Sequence, residues 1–305
     1  MGSSKEVSVV ISTYTAGRIN YVLECIRSLQ KQTLPPKEII LALDPDEKLV
    51  EFYKLNVPDN VKIIVSEGYG LSYARNAGVK SAEGEIIAFI DDDAVADDRW
   101  LETLVRNYND PNVMGVGGLI KPVWRSSRPL WFPEELDWVI GCSYKGLPEC
   151  KAAVRNPIGC NMSFRREVFE KVGYFRPNIG RFGKNLLGGE EPELSIRILK
   201  KVPNAKILYD PLAVVYHTVT KDRLNLKYLL IRSFNEGFSK AMISNLNGSL
   251  YNLSTEKNYL RHLLRTAIPS RLKRFYNLYS LFQLAVLFVS LSSVLLGFIL
   301  RKILW

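Results

Sequence analysis

Between Val7 and Ile90, short apolar runs alternate with stretches of helical periodicity, and few architectures can accommodate that alternation. Residues 7–12 form one apolar run, after which Ile19, Val22, Leu23, Ile26 and Leu29 recur at helical spacing until Pro35-Pro36 breaks the pattern. Further apolar runs cover 39–43, 61–65 and 86–90, with helices expected over 48–55 and 71–79. Strands separated by helices need crossover connections, which predicts an α/β fold with a mostly parallel, Rossmann-like sheet flanked by helices. Ligands of such sheets bind beyond the carboxyl ends of the strands. Three of these ends are polar: Ser12-Thr13-Tyr14, Asp44-Pro45-Asp46 and Asp91-Asp92-Asp93.

After a strand at 113–119 the pattern loosens. Residues 121–157 hold Trp124, Trp131, Phe132 and Trp138 among prolines and charges, as a substrate-facing insertion would. The tryptophans recur seven residues apart, but Pro129 and Pro133 exclude one continuous helix. Trp138 is therefore a candidate for stacking on an acceptor sugar or for a membrane contact. A strand is expected at 161–164, a helix at 166–172, and a helix at 192–201 that begins in acids and ends in Lys200-Lys201, as its dipole prefers. Strands near Ile207 and Val214 lead into His217.

The formal charge of +10 is concentrated: from Lys221 onward there are 13 Lys/Arg against 3 Asp/Glu, and the remainder is balanced. Residues 279–300 are 22 in succession without a charge, slightly more than the ~20 a helix needs to cross a bilayer. A basic field beside an apolar span, without an aromatic-rich basic stacking surface, points to a membrane and away from nucleic acid. Arg261, Arg265, Arg271, Lys273 and Arg274 precede the span and Arg301 and Lys302 follow it, so the positive-inside tendency puts the large domain on the cytoplasmic face of the cell membrane. A helix lying in the interface is the alternative. The first four residues lead straight into a strand without an apolar targeting segment. Cys25, Cys142, Cys150 and Cys160 form no CxxC pair and are expected to be reduced packing residues.

Three adjacent carboxylates at a strand end repel one another, a cost that a bound divalent cation offsets. Mg²⁺ or Mn²⁺ takes one or two carboxylates and completes its shell with phosphates and water, which implies a diphosphate. Period-2 alternation predicts that Asp91 and Asp93 share a side and Asp92 faces the other. The bland alternative is an acidic loop capping the helix near Arg99, a purpose Asp97 and Asp98 already serve. Gly68-Tyr69-Gly70 opens a helix with Arg75 one turn inside, an arrangement that favours anions. Glu190, Glu191 and Glu193 at the later helix start can be read as dipole compensation, each contributing about 0.3–1 kcal/mol. His217, alone after an apolar run, reads as a packed or capping residue.

Ser12-Thr13-Tyr14, Ser28-Leu29-Gln30-Lys31-Gln32-Thr33, Asp44, Ala74-Arg75-Asn76 and Asp91-Asp92-Asp93 stand in an order and spacing that resembles the family 2 inverting glycosyltransferases of GT-A fold, over roughly residues 7–220. The resemblance implies a nucleoside diphosphate sugar donor carrying uridine, with Ser12, Tyr14, Asp44 and Arg75 around the base. It further implies Asp92 on the ribose side, Asp91 supporting the loop, and Asp93 with His217 on Mn²⁺ or Mg²⁺. Gly188-Gly189-Glu190-Glu191 resembles the family's Glu-Asp motif, whose second acid deprotonates the acceptor hydroxyl; here that acid is Glu191, with Glu190 orienting the acceptor. Leu43, where many members carry an acid, and Thr15, where asparagine is common, depart from the pattern.

With a C-terminal anchor, the pattern is similar to archaeal glucosyl-dolichyl phosphate glucuronosyltransferases and implies a lipid-linked saccharide as acceptor. The expected division is a catalytic domain at 5–220 (a nucleotide-sugar half at 5–120, an acceptor half at 121–220), a basic amphipathic helical region at 221–275, and a transmembrane or membrane-embedded helix at 276–305. A homo-oligomer is compatible with the sequence. Two rivals are a polyprenyl-phosphate sugar synthase, whose anionic acceptor needs no general base, and a non-catalytic nucleotide-sugar-binding membrane scaffold.

Overall fold

The computed structural model describes residues 5–181, 186–247 and 254–304. The opening residues 1–4, read above as the lead into the first strand, and the last residue of the terminal segment lie outside the described residues. The alternation is realised as β1 (Val7–Thr13), α1 (Ile19–Gln30), β2 (Glu38–Leu43), α2 (Glu47–Asn56), β3 (Val61–Val65), α3 (Leu71–Ser81) and β4 (Ile86–Asp91). The start of α2 is set by Asp46, whose carboxylate accepts from the Lys48 and Leu49 N–H groups. Then follow β5 (Ala94–Ala96), α4 (Trp100–Arg106), β6 (Val113–Trp124), β7 (Ala152–Ala153), β8 (Asn161–Arg165), α5 (Glu167–Val172), α6 (Glu190–Lys201) and β9 (Lys206–Val219).

The sheet order is β3-β2-β1-β4-β8-β6-β9-β5, with β7 paired to β9. β3, β2, β1 and β4 are parallel, whereas β8 runs antiparallel to β4 and β6, and β5 antiparallel to β9. The parallel part therefore ends at β4, where β8 enters the sheet antiparallel beside it. Two expectations on elements change. The strands near Ile207 and Val214 are one strand, continuous through Pro211, with the Leu212 N–H donating to the Asp210 carboxylate. Helix α6 starts at Glu190 and not at Pro192, since proline is tolerated in a first turn, so Glu190 and Glu191 are helical.

The chain forms two compact units: Met1–Lys121, Glu149–Asn185 and Glu190–His217 in one, Pro122–Pro148, Leu186–Gly189 and Thr218–Trp305 in the other. In the first, Phe89 of β4 packs edge-on against Phe164 and Phe175, within a buried cluster that includes Val10, Ile40, Ala74 and Leu194. Helix α3 can approach β1 closely because residue 78 has no side chain: a Cβ there would lie 2.4 Å from Val10 Cγ1. Gly78→Ala is accordingly expected to destabilise the protein by about 1–3 kcal/mol through overpacking, read as a lowered midpoint of thermal unfolding.

The second unit holds a 3₁₀ turn at Glu134–Ile140 and the helices α7 (Leu226–Asn247), α8 (Ser254–His262), α9 (Ile268–Leu272) and α10 (Leu278–Ile303). Helix α10 is capped by Asn277, whose side chain accepts from the Tyr279 and Ser280 N–H groups. Glu135, buried on the 3₁₀ turn, takes Arg271 at 2.6 Å.

Candidate active site

In-register pairing of β1 with β4 sets Ser12 beside Asp91, and pairing of β1 with β2 sets Thr13 beside Leu43, so that Asp44 follows at the same end of the sheet. Asp44 Oδ1 accepts from the Gly70 N–H at 3.1 Å, and Gly70 has φ 113°, which a residue with a side chain rarely adopts. Burial nonetheless raises the Asp44 pKa, the Gly70 bond opposing it. The Ser12 hydroxyl is buried without a hydrogen-bond partner. Tyr14 is exposed, and the Arg18 guanidinium stacks 5.5 Å from its ring centre.

The three aspartates do not follow strand alternation. Only Asp91 belongs to β4, and the chain turns at Asp92 and Asp93 before β5. Asp92 and Asp93 consequently meet the same cation: Arg18 donates to Asp92 Oδ1 and lies 3.4 Å from Asp93 Oδ2. The expectation that Asp92 points away from Asp93 is corrected, because period-2 geometry ends with the strand. Burial pushes the Asp92 carboxyl up to about 6; Arg18 pulls it down, and Asp93 and Asp91 add to the rise. Asp97 accepts from the Arg99 N–H at 3.3 Å ahead of α4, whose N-cap Arg99 has no side-chain capping bond.

His217 is brought to the aspartates by the short strand that follows them. β5 pairs with β9 so that Ala94 opposes His217, and His217 Nε2 lies 3.1 Å from Asp93 Oδ1 with both side chains buried. A third donor comes from β8. Ile90 pairs with Asn161, so Cys160, just before β8, falls beside Asp91. The ligand atoms of Asp91, Cys160 and His217 all lie within 4.8 Å of one another. A carboxylate, a thiol and an imidazole at that spacing fit a divalent cation, with Asp93 adjoining through His217.

Arg75, expected beside the nucleotide, is buried and turned onto protein groups. It donates to Glu190 Oε1 at 2.9 Å, to the Gly159 carbonyl at 3.0 Å and to Asp91 Oδ1 at 3.4 Å. It thereby ties α3, β4 and the first turn of α6 together. Glu193, fully buried, is held by Arg197 and Arg176, each at 2.8 Å. Of the three acids in that turn, Glu190 and Glu193 are thus committed to arginines that anchor the helix. Glu191 lies on a different helical face and is partly open to solvent.

Trp138 lies in the second unit, on the 3₁₀ turn, where its indole N–H donates to the Tyr259 hydroxyl at 3.4 Å and Tyr259 in turn donates to the Glu135 carbonyl. Two residues of the aspartate cluster escaped the sequence reading. Arg18 sits in the loop beyond β1, a position that strand-end logic could have flagged. Cys160 had no local signal, because its partners are 69 and 57 positions away in the chain and meet it only through the sheet order.

Residues 8–173 match the family model for glycosyl transferase family 2. The chain is 34% identical, over 96% of its own length and 95% of the relative's, to the glucosyl-dolichyl phosphate glucuronosyltransferase of Haloferax volcanii. It is 24% identical to the succinoglycan biosynthesis protein ExoM of Rhizobium meliloti, over 76% of this chain and 72% of that one. Among solved structures, GalNAc-T7 with UDP, GalNAc and Mn²⁺ superposes with a TM-score of 0.53 at 19% identity, covering 88% of this chain and 57% of that one, a likeness of fold.

Proposed function

This chain belongs to glycosyl transferase family 2, and from that membership we propose that it moves a sugar from a uridine diphosphate sugar to a hydroxyl of a lipid-linked saccharide, with inversion, at a membrane. It is a glycosyltransferase, and its fold is GT-A. The observation that carries the finer reading is the cluster of Asp91, Asp93, Cys160 and His217 at the strand ends, next to the Ser12 and Asp44 loops. Ser12, Tyr14 and Asp44 hold the nucleoside and Asp92 its ribose. Asp93 and His217, with Asp91 and Cys160 beside them, hold the metal. The imidazole and thiol favour Mn²⁺ over Mg²⁺, which prefers an all-oxygen shell. A bound cation neutralises charge on the departing diphosphate.

Glu191 takes the acceptor hydroxyl proton as the hydroxyl attacks the anomeric carbon opposite the leaving group. Glu190 lies beside it, its Oε1 on Arg75 and its Oε2 buried without a partner, and orients the loop on which the acceptor rests. Arg75 acts as a positioning residue for Asp91 and Glu190, in place of the direct nucleotide contact expected from the sequence. The donor is served by residues 5–120, joined on the metal side by Cys160 and His217, and the acceptor by the rest of 121–220, Trp138 included, while 221–275 and 276–305 attach the enzyme to the cytoplasmic face of the membrane. The name of the Haloferax relative directs attention to a glucuronosyl donor and a glucosyl-dolichyl phosphate acceptor.

A panel of UDP-sugars tested against dolichyl-phosphate glucose and against dolichyl phosphate, with product mass as readout, examines this reading. The expected product is dolichyl-phosphate glucose enlarged by one uronic acid residue in the presence of Mn²⁺, and lost on chelation. Product on bare dolichyl phosphate would favour the synthase, and no product with any donor would leave only a binding scaffold.

A further inference from the structure

We propose that α10 does not cross the bilayer: it lies along the surface of an anionic membrane with both of its ends on the same side, and α7 rides on its protein-facing flank. This deepens the membrane reading above and rests on it. Length does not decide the matter, since α10 has 26 residues, including an 18-residue stretch with a mean hydropathy of 2.3, and could span a hydrocarbon core. What decides it is what α10 packs against.

One face of α10 is bare. Leu281, Phe282, Phe288, Val289, Leu295 and Leu296 are exposed, and their spacing draws a single stripe along the helix. Val286, Leu287, Ser290 and Gly297 on the other face are buried. That face meets α7 backbone to backbone: a Cβ on Gly237 would lie 1.8 Å from the Val294 carbonyl oxygen, and one on Gly297 2.1 Å from that of Phe234. The register is parallel. Ser233 and Ser290 share a hydrogen bond of 2.8 Å, Ser293 donates to the Leu230 carbonyl at 2.9 Å, Arg301 stacks over Phe238, and Lys302 bonds Asn245.

Residues 230–245 of α7 therefore accompany the second half of α10, and they carry charge. Glu236 holds Arg232 at 2.9 Å and Lys240 at 3.0 Å, and Lys240 reaches Glu256 of α8 at 3.0 Å. A crossing α10 would carry this ionic cluster into the hydrocarbon, where charge is expensive even when paired. Laid in the interface, α10 sinks only its bare stripe and the ions stay on the protein side. The flanking charges agree. Basic residues are denser before α10, at Arg261, Arg265, Arg271, Lys273 and Arg274, but Arg301 and Lys302 give its far end a headgroup partner too, as two ends at one headgroup layer need. Exposed Leu272, Phe275 and Tyr276 beside Lys273 and Arg274 join apolar insertion to anionic headgroup attraction.

The test uses the full chain with Cys150→Ser, because Cys150 is exposed while Cys25, Cys142 and Cys160 are buried. Single cysteines are introduced as Arg274→Cys and Leu304→Cys, both at exposed positions flanking α10. The proteins are reconstituted into sealed vesicles of phosphatidylglycerol and phosphatidylcholine and treated with a membrane-impermeant maleimide before and after detergent. With the protein added to preformed vesicles, so that one orientation prevails, the expected result is equal protection of the two positions. Complementary protection, one site reached from outside and the other only after detergent, would overturn the proposal. Binding at least about tenfold tighter to anionic than to neutral vesicles at low salt is also expected. No binding to either, with self-association through the bare stripe, would equally overturn it. Transfer measured on the same vesicles keeps the two readings apart: complementary protection with active transfer defeats only the surface seat, whereas equal protection without transfer defeats only the reaction.

Discussion

Glu191→Gln is expected to lower sugar transfer by about 10²–10⁴-fold, the usual contribution of a positioned general base, while UDP still binds in the presence of Mn²⁺. The amide keeps the shape of the carboxylate and removes only its ability to take a proton. Glu190 and Glu193 cannot substitute for it, because Arg75 and the pair Arg176 and Arg197 hold them. Transfer has to be followed by product mass and donor hydrolysis recorded separately, since water can react where the acceptor does not. Calorimetry with UDP and Mn²⁺ checks that the donor site survives. Undiminished turnover would exclude the base role and return the enzyme to the phosphate-acceptor synthases.

Arg75→Met should destabilise the fold by about 3–5 kcal/mol, the range for removing one member of a buried ion pair. Arg75 is 3% exposed and Glu190 4%, so little solvent screening softens the loss. Methionine retains much of the side-chain volume but leaves Glu190 charged, buried and unmatched, and frees the Gly159 carbonyl. Thermal unfolding in detergent should fall by about 10 °C. Arg75→Met combined with Glu190→Gln is expected to recover a large part of that fall, as contacting partners are not additive. Additive losses in the double variant would mean that the pair contributes no coupling. The same cycle read by activity tests the positioning role: the double variant should regain stability without regaining transfer, because Asp91 and the first turn of α6 lose their common anchor.

Much of the first unit was legible from sequence because its signals are local. Apolar runs with periods of two and of about four mark β1 to β4 and α1 to α3, and Asp44 and Asp91 follow from where those strands end. Local signals also misled where the structure departs from regularity. The alternation assumed for Asp91, Asp92 and Asp93 fails at the turn before β5, and Pro211 divides nothing because Asp210 receives the neighbouring N–H. Arg75 illustrates a different limit. Its glycine-rich setting suits an anion, and nothing near it in sequence tells a phosphate from Glu190, 115 positions away.

By itself the sequence determined the alternating strands and helices, the acidic strand end, the acids at the start of α6 and the long apolar helix with its basic flanks, since each is written in residues a few positions apart. Only the tertiary structure decided that Arg18 closes on Asp92 and Asp93, that Cys160 and His217 join Asp91, that Glu190 and Glu193 are spent on arginines, and that α10 has a charged companion in α7. The physical reason is that these groups act on one another only within about 5 Å, the range over which side chains exchange protons or share ions. Strand order and helix register, not chain spacing, determine which residues come that close.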